Sequence, residues 1–276
     1  MRTRYRKILG AAGTALASMA LLASAAEATK PAPPYEDFAG CPSRAESPFI
    51  ASCIKYTFSG GKIGIGKREI PVTNPIVLRG GFEQVTSKFI MNAEGGIVPA
   101  KQTVPGGLIG LTGLPWLDEI LGSKEQLKLY ATVELAGTPG TIAGNPFVLP
   151  IKVHLENPAL GNTCYVGSAA APITLNLTTE TTSPPAPNKP ITGKSAGRLE
   201  EEAERPEVLT NVTPGELVDN AYSVPAANGC SLKVGPFVIP IDELVDAAYG
   251  LPAAAGTNTT VLNYTTSIVD PEVVYP

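Results

Sequence analysis

The feature that most restricts this chain is a strict alternation of apolar and polar residues, recurring in short runs. Leu127, Leu129, Ala131, Val133 and Leu135 alternate with Gln126, Lys128, Tyr130, Thr132 and Glu134. Successive side chains of a strand point to opposite faces, so such a run gives one face to a core and the other to water. Phe147, Leu149, Ile151, Val153 and Leu155 form a second run; Ile173, Leu175 and Leu177, set between Thr174, Asn176 and Thr178, form a third. Shorter strands are expected at 62–65, 76–78, 88–91, 232–234, 237–239 and 261–268. Gly60-Gly61, Gly80-Gly81, Gly95-Gly96, Pro139-Gly140 and Asn228-Gly229 punctuate them as turns. The expected fold is mainly β: an antiparallel β-sandwich with a few short helices and disulfides.

Helical signal is confined to residues 115–121, 214–222 and 241–249. The last two belong to an internal repeat. Glu216 to Gly229 and Glu243 to Gly256 agree at ten of fourteen positions. Each copy reads as a short helix, a proline break and a turn of small residues leading into a strand. Both are expected to bridge the sheets, and the paired turns could instead form a binding rim. Two copies are too few for a solenoid.

The first 28 residues have the three parts of a secretory signal. Arg2, Arg4, Arg6 and Lys7 precede an apolar stretch over 8–26, and Ala26-Glu27-Ala28 offers the small residues a signal peptidase reads. Cleavage is expected before Thr29, with the bond after Ala25 as second choice. No twin-arginine pair is present. Phe38-Ala39-Gly40-Cys41 imitates a lipoprotein box, but Pro31, Pro33, Pro34, Glu36 and Asp37 separate it from the apolar stretch. Nothing after residue 28 is long and apolar enough to span a bilayer as a helix. The expected organisation is a signal over 1–28, a Pro-rich extension over 29–40, and a β-sandwich over 41–276 with a Pro- and Glu-rich excursion at 183–207. The expected location is outside the cell or in its envelope.

Cysteine usage fits that compartment. Four cysteines, Cys41, Cys53, Cys164 and Cys230, allow three pairings. We expect Cys41–Cys53 around a short loop and Cys164–Cys230 between two strand starts. Zinc is not expected, because no C-x-x-C pair occurs and the single histidine has no suitable spacing. The formal net charge is −4, and removing the basic signal makes the mature chain more acidic still. Such a chain lacks the basic stripe that nucleic-acid binding requires.

Motifs for catalysis fail on context. Gly193-Lys194-Ser195-Ala196-Gly197 has the form of a nucleophile elbow, but a Pro-rich segment precedes it and the histidine lies upstream. Ser52-Cys53-Ile54-Lys55 matches S-x-x-K without its companion motifs. The carboxylate groupings Asp118-Glu119 and Glu243 with Asp246 fall in short helices, where acids near the start are ordinary. Asn176, Asn211, Asn258 and Asn263 begin N-x-[ST] triplets, read as strand and turn sequence because the signal looks bacterial. No catalytic residue, metal or cofactor is assigned. His154, on the polar face of its strand beside Lys152 and Glu156, and Trp116, the single tryptophan, stand as candidate binding residues.

The segments Lys152-Val153-His154-Leu155-Glu156-Asn157-Pro158, 183–193, Val224 to Cys230 and Gly250 to Gly256 resemble exported proteins of actinobacteria. The resemblance covers roughly the last half of the chain. It implies a secreted or envelope location and carries no catalytic residue. The leading expectation is a non-catalytic β-domain that binds or scaffolds an envelope component. A β-oligomer or pore of the envelope, with residues 106–114 as its apolar insertion, is the alternative. A hydrolase using His154 or the carboxylates is the third.

Overall fold

A computed structural model of the chain describes residues 30–108, 110, 127–140, 145–234 and 236–276. The strands, in chain order, are β1 (Ile50–Ile65), β2 (Arg68–Pro71), β3 (Ile76–Glu83), β4 (Lys88–Ile90), β5 (Gly96–Val98), β6 (Lys101–Thr103), β7 (Tyr130–Leu135), β8 (Phe147–Glu156) and β9 (Tyr165–Val166). They continue with β10 (Ile173–Leu177), β11 (Leu199–Glu201), β12 (Leu209–Asn211), β13 (Gly215–Asp219), β14 (Ala227–Asn228), β15 (Ser231–Val234), β16 (Phe237–Pro240) and β17 (Thr260–Val269). Helix α1 (Asp242–Tyr249) and the short α2 (Pro271–Val274) complete the described elements, with a 3-10 turn at Glu36–Phe38.

The first sheet runs β11-β12-β17-β1-β3-β4, with β13 also on β17, β2 on β1 and β5 on β3. The second runs β14-β9-β8-β7-β6, with β10 also on β8. All these pairings are antiparallel. The alternation in the sequence explains the second sheet directly. Along β8, buried Phe147, Leu149, Ile151, Val153 and Leu155 alternate with half-buried neighbours. The inward residues of both sheets form one core, in which Ile54, Phe58 and Leu78 from the first join Val133, Ile151 and Leu175 from the second. Tyr56 and Phe147 stack at 5.6 Å across it. Each such buried side chain contributes about 1.5–3 kcal/mol relative to exposure.

Two glycine pairs expected as turns lie inside strands instead. β1 carries a bulge between Phe58 and Gly60, and Gly61 there has φ 97°. A Cβ on Gly61 would sit 2.0 Å from the carbonyl oxygen of Val261, so the kink that lets β1 pair first with β3 and then with β2 needs glycine. Gly80, within β3, leaves room for the fully buried ring of Phe89, whose Cζ would be 2.4 Å from any Cβ.

Other expectations are corrected in detail. Residues 214–222 do not form a helix; Gly215–Asp219 within them is β13, hydrogen-bonded to β17 and, on its other side, to Thr178 and Lys194. β7 begins at Tyr130, not at Leu127. Within the Pro- and Glu-rich excursion expected at 183–207, Leu199–Glu201 forms a strand that pairs with β12. Of the repeat copies, only the first joins the two sheets, from β13 to β14; the second runs from β16 through α1 to β17. The 115–121 helix, Trp116 and Asp118-Glu119 lie outside the described residues, as do 109 and 111–114 of the apolar insertion.

The cysteines pair as expected, Cys41–Cys53 and Cys164–Cys230. Cys41–Cys53 closes a second, smaller core in which Tyr35, Phe38, Val208, Val269 and Val274 pack together. Residues 30–40 are thereby bound to the sheet. Ala32 donates its backbone N–H to Val274 (2.8 Å), and Asp37 forms ion pairs with Lys55 and Arg205. Burial opposes ionisation of Asp37, yet those two cations outweigh it and hold the carboxyl below its ordinary range.

Candidate functional site

The polar faces of β6, β7, β8 and β9 coincide on the outside of the second sheet. Register puts Lys101 opposite Thr132, Thr132 opposite His154 and His154 opposite Tyr165, one row across four strands. A parallel row holds Thr103, Tyr130 and Glu156, and a third holds Glu134 and Lys152. The period of two that buries Val153 and Leu155 necessarily turns Lys152, His154 and Glu156 outward together.

These side chains are tied to one another. The imidazole of His154 stacks on Tyr165 at 4.5 Å, and the Lys152 ammonium lies 4.4 Å from the Tyr165 ring centre. Lys152 pairs with Glu134 at 3.0 Å and Lys101 with Glu156 at 2.5 Å. Thr132 donates its hydroxyl to the other oxygen of Glu156 at 2.5 Å. Burial alone would raise the carboxyl of Glu156; the bonds from Lys101 and Thr132 prevail and hold it below its ordinary range. Burial, reinforced by the charge of Glu134, pushes the Tyr165 phenol up.

His154 is therefore less exposed than its outward position suggests, with 17% of its side chain accessible. Nδ1 lies 3.8 Å from Glu134 and 4.0 Å from Glu156, beyond hydrogen-bond length. Nε2 is buried and has no partner among the described residues. No hydroxyl or thiol among them is hydrogen-bonded to the ring. The arrangement holds a stacked aromatic pair among balanced charges, and lacks the nucleophile–base contact that acyl transfer needs.

At one end the rows open into a cavity of about 430 Å³, within the range of small-molecule sites. Lys101, Tyr130, His154 and Glu156 form its sheet side, and the loop over 157–162 forms its opposite wall. That loop is held at several points. Asn157 donates its amide to the Lys128 carbonyl at 2.6 Å and accepts the Ala159 N–H at 2.7 Å. Gly161 donates its N–H to Ser231 at 2.8 Å, Leu160 bridges to Leu232, and the Thr163 hydroxyl donates to the Gly229 carbonyl. Cys164–Cys230 then fixes the end of the loop covalently.

The remaining candidate groups have structural duties. Asp246 accepts the Ala227 N–H and Asp242 accepts that of Cys230, both at 2.7 Å, so the α1 acids grip backbone. Asn258 is buried between Gly66, Tyr222 and Ala254, and Asn211 accepts the Thr266 N–H. Lys194, in the elbow-like segment, bridges Glu216 through its backbone. The turns of the repeat do meet: Val224 and Ala253 exchange backbone hydrogen bonds, and Ser223 to Pro225 and Pro252 to Ala254 line a shallow depression. Sequence reasoning singled out His154, with Lys152 and Glu156 only as its neighbours on the polar face, and missed Lys101, Tyr130 and the 157–162 wall. The short β6 shows no alternation of its own, and only register brings Lys101 to the site.

Fold and site together define a disulfide-bonded, antiparallel β-sandwich with a polar outer row. Comparison with protein-family models and with curated proteins finds no match for the chain. Among the described residues no group of three metal-ligating side chains converges, and no helix is long and apolar enough to cross a membrane.

Proposed function

We propose that this is an exported protein of the cell envelope or extracellular space, cut from its signal after Ala28, that works by binding rather than by catalysis. The observation that carries this reading is the state of the groups around His154. Glu156 is committed to Lys101 and Thr132, Glu134 to Lys152, and the imidazole to Tyr165. A site whose carboxylates are already paired with cations and whose imidazole is pinned by stacking presents a fixed surface, and the disulfide behind its wall keeps that surface in shape. The two disulfides support an oxidising destination. The likeness of the last half of the chain to exported actinobacterial proteins points the same way. The domain organisation that goes with this reading is a signal over 1–28, then residues 29–276 as the working protein.

Cell fractionation with mass spectrometry of the mature chain tests it. The expected product begins at Thr29, carries no free thiol and co-sediments with envelope material or accumulates in the medium. A chain retained in the cytoplasm with four free thiols would overturn the reading. One observation favours a second reading, an envelope-associated oligomer. The β15–β16 hairpin forms a sheet of its own, and Phe237, Val238 and Ile239 along it are exposed. Light scattering of the purified protein decides this: Val238→Lys should convert any oligomer into monomer, and a monomeric native protein removes this reading.

A further inference from the structure

We infer that the cavity at the end of the β6–β9 row is a subsite for an uncharged sugar ring. This rests on the binding reading above and names its ligand class. Three properties of the cavity converge. Its lysine and its carboxylate cancel one another, since Lys101 and Glu156 are paired at 2.5 Å and Glu156 is held ionised. A ligand bearing net charge would have to break that pair or meet one half of it as a like charge. An uncharged polyol instead donates hydroxyls to the carboxylate and accepts from the ammonium without separating them.

The cavity also has an apolar side. The half-buried ring of Tyr130 faces it with Pro158 and buried Leu160, and the Lys101 ammonium lies 6.0 Å from the Tyr130 ring centre. A pyranose presents a C–H face of that kind together with a hydroxyl rim. Finally, Asn162 is exposed at the lip, and its side-chain amide makes no hydrogen bond to the described residues. It supplies a free NH2 donor group beside a free carbonyl acceptor, the combination that vicinal hydroxyls engage. The volume of about 430 Å³ accommodates one to two rings. The wall is pre-organised, held by the bonds of Asn157, Gly161 and Thr163 and by Cys164–Cys230, so little ordering entropy is lost on binding.

The test uses the secreted mature protein with cellotriose, maltotriose and tri-N-acetylchitotriose as probes, and galacturonate and lysine as charged controls. Binding is read by saturation-transfer NMR and calorimetry. At least one trisaccharide is expected to bind saturably and the controls not at all. Asn162→Ala, at an exposed loop position, should weaken that binding about fivefold, and Tyr130→Leu at least tenfold. Absence of saturable binding to all three trisaccharides overturns the assignment. So does preference for a charged control, or binding unchanged in Asn162→Ala. Sedimentation of the same proteins with isolated envelope separates this from the wider reading. If wild type and the Asn162→Ala/Tyr130→Leu double variant co-sediment equally, envelope binding stands and the cavity assignment falls; if wild type neither co-sediments nor binds any probe, the binding reading and the cavity assignment both fall.

Discussion

Two stretches of this chain share ten of fourteen residues and adopt different structures. Glu216 to Gly229 opens as strand β13, whereas Glu243 to Gly256 opens as helix α1. The same Glu-Leu-Val-Asp start serves both. In the first, Leu217, Val218 and Asp219 are all buried and the backbone is paired on both sides, to β17 and to Thr178. In the second, Ala247 and Ala248 favour helix, Val245 and Tyr249 fall one turn apart on the core side, and Gly250 ends the helix with φ 68°. Where the first copy has Asn220 and Ser223, the second has Ala247 and Gly250. Local differences allow the helix; a vacant sheet position beside β17 enforces the strand. Tertiary pairing overrides propensity when a segment this short is weakly committed.

The copies also differ in how they end, and that difference is the largest to break. The residue after the first is Cys230, bridged to Cys164; the residue after the second is Thr257, which has no covalent anchor. The bridge spans 66 residues, for which the chain-entropy estimate is about 4 kcal/mol. Denaturant unfolding of Cys164→Ser/Cys230→Ser should show a loss of that order. The shorter span of 12 at Cys41–Cys53 should give about 3 kcal/mol when removed in the same way.

The paired tyrosines sharpen the comparison next. Tyr222 and Tyr249 hold equivalent positions and both are buried. The Tyr222 hydroxyl donates to the Gly64 carbonyl and shares a hydrogen bond with Thr260, each at 2.7 Å, whereas that of Tyr249 has no partner among the described residues. Tyr222→Phe should cost about 1–3 kcal/mol by stranding the Gly64 carbonyl and the Thr260 hydroxyl. Tyr249→Phe should be neutral or stabilising, because it removes an unsatisfied buried group. Equal losses in thermal unfolding would show that the two environments are not distinct. A similar contrast follows at Gly250. Replacing it with the Ser of the first copy forces a side chain into the left-handed region and should cost about 1 kcal/mol.

The aspartates add a pH test. Burial raises the Asp219 carboxyl above its ordinary value, against the opposing pull of the Ala221 and Asn176 N–H groups. A folded carboxyl that holds its proton more tightly than the unfolded one adds stability at low pH. That part is lost as pH rises from the unfolded value of about 3.9 through the raised folded value. Asp37, held low by Arg205 and Lys55, acts in the opposite sense: its part is present above about 3.9 and is lost as pH falls through the folded value. Unfolding followed between pH 3 and 7 in Asp219→Asn and Asp37→Asn should reveal slopes of opposite sign removed from the wild-type profile.

The repeat also marks how far the sequence can be read. The sandwich was legible because β8 and β10 write their burial as a clean period of two, and the disulfides because spacing favoured one pairing. The fate of residues 214–222 was not, since a Leu-Val-Asp run with a tyrosine three residues on fits helix and strand alike. The site was half legible. His154 and Glu156 stand on an evident polar face, but Lys101 reaches them only through the pairing of β6 with β7, a long-range register that no local pattern records. The wall at 157–162 is invisible for a related reason: its shape depends on Gly161 meeting Ser231, 70 residues further on.

The smallest expected effect puts the comparison to its hardest test. Asn220→Ala with Ser223→Gly makes the first copy agree with the second at twelve of its fourteen positions and supplies the helix former and the terminal glycine that it lacks. If local sequence were decisive, the far-ultraviolet dichroism would gain helix. The expected outcome is no gain. β13 would forfeit its five paired positions on β17 and expose Leu217 and Val218, a larger loss than alanine and glycine can offset at propensities of about 1 kcal/mol or less per residue. What should change is stability alone, modestly, because the Asn220 amide donates to the Lys189 carbonyl at 2.7 Å while its own carbonyl is buried without a partner among the described residues. Losing the first costs and losing the second gains, so the variant should stay folded as a strand, slightly less stable than wild type.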